Sequence, residues 1–328
     1  MKKITCFLLA FLFGMLGAYA QHYNVTENNF NTVKITFTPA KLETQKIKTT
    51  NGNFTQISMD DCTPSREIGM PQLPIMVKLL EIPLCDSLIV NVTNTQYQEY
   101  DAAELGIESQ IYPAQQEYPK SYTGPRTFSK NTSAYRQNAF YSLPLASVKK
   151  IGVMRDVNLA NIIISPVSYN PVTNKVRIYT NIEVEVSFIN PNEPGTYEMK
   201  AKYGSPLFHA ATDAIINPMT AQDRSEYSAA PIRYLIIANS MFANNSDLTS
   251  FVNWKKRMGY IVTVAYTSDA NVGTTTTSIK NYIMSQYTGA TTANPAPTYL
   301  LLIGDVAQIP TYTGVSDNGH KTDLYYAT

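Results

Sequence analysis

The sequence has few of the residues on which metal and nucleophile sites usually depend, and it has no block of like charge. Three cysteines and three histidines occur in 328 residues. His22, His209 and His320 show no metal-ligand spacing. Lys and Arg total 26 against 25 Asp and Glu, a formal net charge of +1. With this even balance and no block of like charges, nothing in the sequence favours nucleic acid or an anionic membrane as a partner, so we expect neither.

The N-terminus indicates export. In "MKKITCFLLAFLFGMLGAYA", Lys2 and Lys3 precede an apolar run that ends at Ala18-Tyr19-Ala20. This pattern predicts a signal peptide over residues 1–20, with cleavage between Ala20 and Gln21. The apolar run is short for a mature membrane span. We therefore expect a secreted or cell-surface protein with no membrane span after signal removal.

The cysteine content leaves two alternatives open. Cys6 leaves with the predicted signal peptide, and Cys62 and Cys85 remain. In an exported chain these two residues either form a disulfide or stay as two buried thiols. Neither has a histidine near it in the sequence, so neither indicates a nucleophile.

Residues 24–192 alternate apolar and polar side chains with the period of a β-strand. "TVKITFT" is one example, and "VSYNPVTNKVRIYTNIEVEVSF" predicts a hairpin around an Asn170–Asn174 turn. The apolar positions of these two segments are Val33, Ile35, Phe37, Val176, Ile178, Ile182, Val184 and Val186. No amphipathic helix interrupts this region, so we predict an all-β sandwich over residues 21–224.

After Pro231 the pattern changes to β-α-β-α-β. "RYLIIAN", "YIVTVAY" and "TYLLLIGD" predict strands, and the last of these is expected to be buried on both faces. "SDLTSFVNWKKRMG", with Ser246 as N-cap and Gly259 as stop, and "TSIKNYIMSQY" predict helices. Short connections between these elements predict a parallel sheet, so residues 225–328 are expected to form part of an α/β domain.

The segment between the two patterns, "NPMTAQDRSEYSAAP", is polar and has neither period. Such a segment is a good protease substrate, and we predict cleavage between Arg224 and Ser225. Arg233 is the competing basic site. It opens the first strand of the α/β region, where a cut would remove backbone hydrogen bonds of the sheet.

With these elements placed, the chain resembles the N-terminal portion of gingipain-type cysteine peptidase precursors, whose catalytic domains are caspase-like. The resemblance rests on "GMPQLPIMVKLLEIP" and the hairpin in the first half, and on "FVNWKKRMG", "LLLIGDVAQIP" and "KTDLYYA", in that order, in the second. It implies an endopeptidase with a cysteine thiolate activated by histidine. No cysteine follows Cys85, and His320 in "SDNGHKTD" departs from the family's Gly-His-Gly turn. We therefore expect no catalytic residue in this chain and place the chemistry beyond Thr328.

The resemblance also implies partners and a metal. Substrates would be proteins or peptides, and the propeptide would assist folding and act as an intramolecular inhibitor. Catalysis would need no cofactor, but Asp305 and Asp323 match acids of a family that binds structural calcium. In the alternative interpretation Asp305 caps a turn and Asp323 makes a hydrogen bond.

A long polar, tyrosine-rich segment, "YPKSYTGPRTFSKNTSAYRQNAFYS", is a candidate inhibitory loop. It carries four basic residues that could mimic a substrate side chain, Lys120, Arg126, Lys130 and Arg136, and the sequence does not choose among them. Two other functions remain open. One is a secreted adhesion or carbohydrate-binding sandwich with a non-catalytic α/β domain, and the other is a sortase-like family member acting in protein secretion.

Overall fold

The computed structural model describes residues 22–208, 212–218, 232–314 and 319–328. The predicted signal peptide with Ala20 and Gln21, the predicted cleavage site at Arg224 and Ser225, and His209 lie outside these residues. The strands are β1 (Tyr23–Asn28), β2 (Thr32–Phe37), β3 (Leu42–Thr49), β4 (Gly52–Met59), β5 (Thr63–Pro64), β6 (Pro74–Ile82), β7 (Ser87–Asp101), β8 (Ala146–Met154), β9 (Val157–Ile164), β10 (Val167–Asn170), β11 (Lys175–Ile189), β12 (Arg233–Ala238), β13 (Ile261–Tyr266), β14 (Tyr299–Ile303), β15 (Tyr312–Thr313) and β16 (Lys321–Thr322). The helices are α1 (Glu193–Tyr203), α2 (Ser246–Arg257) and α3 (Thr276–Thr288), with 3₁₀ turns at Ala102–Leu105, Ala134–Arg136, Pro206–Phe208, Ser240–Phe242 and Leu324–Tyr326.

The first half of the chain is built from strands, as predicted. One sheet has the order β1-β2-β11-β10, and β7 also pairs with β11. A second sheet has the order β5-β6-β9-β8, and β3 and β4 form a separate hairpin. The predicted hairpin is the antiparallel pair of β10 and β11, with Asn170 opposite Lys175.

The alternation read from the sequence places side chains as expected. Val33, Ile35 and Phe37 of β2 are buried, whereas the residues between them are only partly buried. Val184 of β11 lies opposite Ile35, so the apolar faces of the two strands coincide. Because side chains alternate across a strand, this register puts a continuous apolar face on one side of the sheet.

Helix α1 is the main departure from the predicted all-β region. It begins after Asn192, whose side chain accepts a hydrogen bond from the Gly195 N–H, and Pro194 lies in its first turn. Both features favour helix initiation. The helical sequence "EPGTYEMKAKY" has no apolar stripe, which is why periodicity missed it.

The second half has the predicted parallel sheet. The strand order is β13-β12-β14, and β12 pairs in parallel with both neighbours, Tyr234 lying opposite Val262 and Tyr299. Residues 235–238 of the central strand are buried. Within the described residues β14 is paired on one side only, and its residues are partly buried or exposed. The expectation that this strand is buried on both faces is therefore wrong for the described part of the chain.

The N-cap of α2 also differs from the prediction. Asn245, not Ser246, caps the helix, and its side-chain oxygen accepts hydrogen bonds from the N–H groups of Asp247 and Leu248 at 2.9 Å. Both residues are good N-caps, so sequence did not separate them. At the other end, Gly259 has a φ of 89°, the left-handed conformation that ends helices at glycine. Among the described helices, none is long and apolar enough to cross a membrane.

The chain divides into two compact units. The first consists of the residues up to Val77, Val90–Ser147 and Ile163–Ser187, and the second of Lys78–Ile89, Val148–Ile162 and the residues from Phe188 onward. The core of the first unit includes Leu73, Ile111 and Tyr169. In the second unit, separate clusters form around Ile237 and Ile279, around Ile236 and Leu248, and around Leu159.

Candidate functional site

The tyrosine-rich segment is a loop with a defined neck. The Gln115 side chain donates to the Ser129 carbonyl oxygen at 2.8 Å and accepts from the Ser129 N–H at 2.9 Å. Next to this pair, the Gly69 N–H donates to the Ala114 carbonyl oxygen, and the Gly69 carbonyl oxygen accepts from the Asn131 N–H. Gly69 has a φ of 82°, and a Cβ there would lie 3.0 Å from the Asn131 nitrogen. Gly69, which is not part of the loop, therefore bridges its two arms at a position that requires glycine.

The tip of the loop, residues 116–128, carries two of the four candidate basic residues. The rings of Tyr118 and Tyr122 are stacked with their centroids 4.5 Å apart, and the Tyr122 hydroxyl donates to the Pro125 carbonyl oxygen at 3.3 Å. Lys120 and Arg126 are exposed. Neither has a side-chain hydrogen bond or ion pair with any residue that the structure describes, so both are available to a partner.

Lys130 is held by the first unit itself. Its ammonium group donates to Gln110 Oε1 at 2.7 Å and lies 5.4 Å from the Phe54 ring centroid and 4.7 Å from that of Tyr135. Tyr135 is 4% exposed, and its hydroxyl donates to the Ile111 carbonyl oxygen at 2.6 Å. Since hydrogen bonding and cation–π contacts occupy it, Lys130 is a poor substrate mimic.

Arg136 lies at the end of the 3₁₀ turn Ala134–Arg136, directly after buried Tyr135. Its side chain is exposed, but its backbone is fixed because its N–H donates to the Ser133 carbonyl oxygen. The structure therefore separates the four residues that sequence could not rank. Lys120 and Arg126 are at the tip, whereas Lys130 and Arg136 belong to its anchored arm.

The two candidate calcium ligands lie in different local settings. Asp305 Oδ1 accepts a hydrogen bond from the Val306 N–H at 2.7 Å, and the Asp305 carbonyl accepts from Gln308 and Ile309. This is the turn-capping arrangement of the alternative interpretation. Asp323 precedes the 3₁₀ turn Leu324–Tyr326 without capping it. In the parts of the chain that are described, no three His, Cys, Asp or Glu side chains group as metal ligands would. Calcium at Asp305 and Asp323 stays a prediction.

The sulfur and imidazole groups take no part in a catalytic arrangement that the structure describes. Cys62 and Cys85 are not joined by a disulfide, and both are half-buried. The pair therefore stays as two thiols, as in the second alternative, but neither is fully buried. Burial raises the pKa of the Cys85 thiol, which disfavours the nucleophilic thiolate. His22 Nδ1 lies 3.2 Å from the Thr38 carbonyl oxygen, and His320 is exposed.

Sequence reasoning missed an arginine in the second unit. Arg155 lies in the turn between β8 and β9 and lines a cavity of about 900 Å³, together with Lys280, Tyr287 and Asp323. Nothing in the local sequence of a two-residue turn indicates that its basic residue lines a cavity. Arg233, the competing cleavage site, is 3% exposed. Its guanidinium donates to Pro295 O at 2.9 Å and to Gln286 Oε1 at 3.1 Å.

Comparison with known proteins assigns the two patterns of the chain to two adjoining modules. The family model described as Propeptide_C25 matches residues 23–217, and that of Peptidase family C25 matches residues 227–328. The chain belongs to peptidase family C25. The C25 propeptide model covers the strand-rich region and α1, and the C25 peptidase model covers the described elements from β12 onward. The predicted resemblance is confirmed.

Individual relatives agree with this assignment. The C25 chain is 31% identical over 339 residues to Lys-gingipain HG66 of Porphyromonas gingivalis, covering 100% of the chain and 19% of that protein. It is 25% identical over 328 residues to gingipain R1 of the same organism, covering 94% of the chain and 31% of that protein. The chain thus spans about a fifth of the length of the curated Lys-gingipains.

Two solved structures are also similar to parts of the chain. One is reported under "Structural insight into zymogenic latency of gingipain K from Porphyromonas gingivalis", with 31% identity, a TM-score of 0.47 and coverage of 53% of this chain and 95% of that one. The other is a complex of Porphyromonas gingivalis RgpB pro- and mature domains, with 20% identity, a TM-score of 0.48 and coverage of 60% and 97%.

Proposed function

We propose that this chain is the N-terminal part of an exported cysteine endopeptidase zymogen. The observation that carries the proposal is the order of the two matched modules, a C25 propeptide followed directly by the beginning of a C25 peptidase. The catalytic cysteine and histidine would belong to residues that follow Thr328. Both modules belong to one peptidase family, which favours this function over a secreted adhesin or carbohydrate-binding protein.

The propeptide would hold the enzyme inactive through the tip of its loop. Lys120 and Arg126 support this role because they are exposed, have no side-chain partner among the described residues, and lie beyond a neck that Gln115 closes. A fixed neck lowers the entropy that is lost when a loop binds a cleft. Lys130 and Arg136 are less suited, since they lie in the anchored arm.

The test uses the full-length precursor and fluorogenic peptide substrates. The double variant K120A/R126A replaces both tip residues. It should raise the peptidase activity of the uncleaved precursor by at least about 10-fold, the effect of losing about 1.4 kcal/mol of binding between the loop and the active-site cleft. The matched control, K130A with R136A, removes the same charge from the anchored arm and should leave the precursor latent. Unchanged latency in the tip variant would refute the inhibitory role.

Export and activation are proposed from the sequence pattern. The signal-like N-terminus supports cleavage after Ala20, and the polar segment between the modules supports cleavage after Arg224. N-terminal sequencing of the protein from culture medium or cell surface should find Ser225 as the start of the mature enzyme, and Gln21 as the start of the unprocessed precursor. A mature enzyme that still carries the β region would contradict the zymogen assignment.

A further inference from the structure

Arg155 makes an unusual set of contacts for a residue in a two-residue turn. It lies between β8 and β9 with a φ of 55°, a left-handed conformation that is uncommon outside glycine and asparagine. Arg155 lies at the end of a hairpin of which residues Val148–Ile162 belong to the second compact unit. The side chain is half-buried, and burial lowers the pKa of its guanidinium, although arginine stays protonated in proteins.

The guanidinium joins segments that are far apart in the sequence. Nε donates to the Tyr203 carbonyl oxygen at 3.0 Å, and Nη1 donates to the Pro297 carbonyl oxygen at 3.3 Å. Its central carbon lies 4.6 Å from the Phe208 ring centroid and 6.0 Å from that of Tyr287. Arginine suits such a site because its planar fork donates in fixed directions while its face stacks on aromatic rings.

Further contacts join the two segments on either side of the arginine. The Ala296 N–H donates to the Lys202 carbonyl oxygen at 2.8 Å, and the Thr298 hydroxyl donates to Ser205 Oγ at 3.2 Å. The rings of Tyr203 and Tyr287 are stacked with their centroids 5.2 Å apart. Residues 202–205 therefore lie along residues 296–298, and Arg155 contacts both segments.

Residues 295–298, which receive these contacts, are also held by Arg233. That residue donates to the Pro295 carbonyl oxygen, whereas Arg155 donates to Pro297, two residues further along. Arg233 and the 295–298 segment both lie in the matched peptidase module. The Pro297 carbonyl is thus positioned by the peptidase module itself, and Arg155 is the donor that comes from the propeptide module. The other acceptor of Arg155, the Tyr203 carbonyl, lies in the propeptide module and fixes the guanidinium from that side.

The stretch between the matched modules, residues 218–226, lies between the two partners in the sequence. Arg155 and residues 202–208 precede it, and Tyr287 and residues 295–298 follow it. A cut there would leave the contacts of Arg155 with Pro297 and Tyr287 as non-covalent contacts between the two products.

We propose that Arg155 is the anchor that keeps the propeptide bound to the peptidase module after the chain between them is cut. The proposal rests on the proposed zymogen function only for the existence of that cut. A half-buried arginine that lies against aromatic rings and is hydrogen-bonded to backbone is typical of the few residues that dominate an interface. Its loss should raise the dissociation constant of the two products at least about 30-fold.

The experiment introduces its own cut. The recognition sequence of a site-specific protease replaces residues 222–227 of the chain, the protein is purified intact, and the two products are followed after cleavage by size exclusion and by their dissociation rate. The wild-type products should remain together. Those of R155N should separate, and R155K, which keeps the charge without the fork, should separate as well. Lys149→Ala, an exposed residue of β8, is the matched control and should behave as wild type.

Asparagine is chosen because it tolerates the left-handed backbone at this position. Thermal unfolding of each uncut variant checks that it folds. Should R155N not fold, R155K and Tyr287→Leu decide, the latter removing the ring that stacks on both Arg155 and Tyr203. Wild-type products that separate on cutting, or Arg155 variants whose products stay together like wild type, would overturn the proposal. Because the cut is introduced, this result is independent of whether the natural protein is cleaved after Arg224 or has peptidase activity.

Discussion

Tyr135 is expected to be the main support of the anchored arm of the tyrosine-rich loop. The variant Tyr135→Phe tests this by removing one oxygen atom. The ring is 4% exposed, and the hydroxyl donates to the Ile111 carbonyl oxygen at 2.6 Å. Phenylalanine keeps the ring volume, so no cavity forms. Removing a buried donor from its acceptor costs about 1–3 kcal/mol. The free energy of unfolding at pH 7 should fall by that amount.

The pH dependence gives a second, sharper expectation. Burial raises the pKa of Tyr135 well above its usual range, and the nearby Tyr169 and Tyr141 act in the same direction. An unfolded tyrosine ionises near pH 10, whereas the folded one keeps its proton to higher pH. The folded state therefore binds more protons above pH 10, and the stability that is fully present below this pH is lost as pH rises.

The size of this loss follows from linkage. One group with a raised pKa costs the wild type about 1.4 kcal/mol per pH unit above pH 10. Phenylalanine has no proton to lose, so Y135F is spared this loss. The free energy of unfolding of wild type minus that of Y135F should therefore decrease by about 1.4 kcal/mol per pH unit above pH 10. Tyr169, whose pKa burial raises to about 12, is present in both proteins and cancels in the difference.

The measurement is urea unfolding of the full chain between pH 7 and pH 11, followed by far-UV circular dichroism. Hydrogen exchange of peptides that contain Ile111 and Tyr135 locates the effect, because local opening exposes those amides first. Tyr122→Phe is the control, since its hydroxyl lies in the exposed tip, and its effect should stay within about 0.5 kcal/mol. Equal stability of Y135F and wild type at pH 7, or a difference that stays constant to pH 11, would refute the reasoning.

Three further predictions address other parts of the chain. Asn245→Ala should destabilise α2 by about 1 kcal/mol and Ser246→Ala by much less, measured by thermal unfolding with the emission of Trp254. The reverse order would restore Ser246 as the cap. Gln115→Ala should speed proteolysis within residues 116–128 without lowering the melting temperature. An unchanged cleavage rate would contradict the claim that Gln115 holds the two arms of the loop together. Burial raises the pKa of Asp156, so the contribution of this group to stability should fall as pH rises above about 4. In Asp156→Asn that fall should be absent, so the difference in the free energy of unfolding between variant and wild type should change with pH.

Much of the fold could be predicted because each element carries its own period. Alternation in "TVKITFT" specified which face of β2 is buried, and the β-α-β-α-β order specified a parallel sheet, which β12, β13 and β14 form. These signals are local, since the side-chain period follows from backbone geometry within a few residues. Helix α1 has no such period, because "EPGTYEMKAKY" lacks an apolar stripe, and its existence depends on capping and on contacts elsewhere.

The candidate sites needed more than local pattern. Sequence found the tyrosine-rich loop and its four basic residues, but all four are polar residues in a segment without period. Lys120 and Arg126 have no side-chain partner among the described residues, whereas Lys130 donates to Gln110, 20 positions earlier. Only the tertiary structure shows this difference. The same holds for the cysteines, since pairing depends on where two distant segments meet.

The sequence by itself determined the class of each half of the protein, the family, and the segment where the two halves are joined, because periodicity, motif order and composition are properties of neighbouring residues. The tertiary structure decided which side chains contact each other across long distances. Arg155 and Pro297 are separated by 142 positions, and no spacing rule reaches that far. A hydrogen bond of this kind exists only after the strands, helices and turns have packed, so its role could be read from the folded chain and not from the order of its residues.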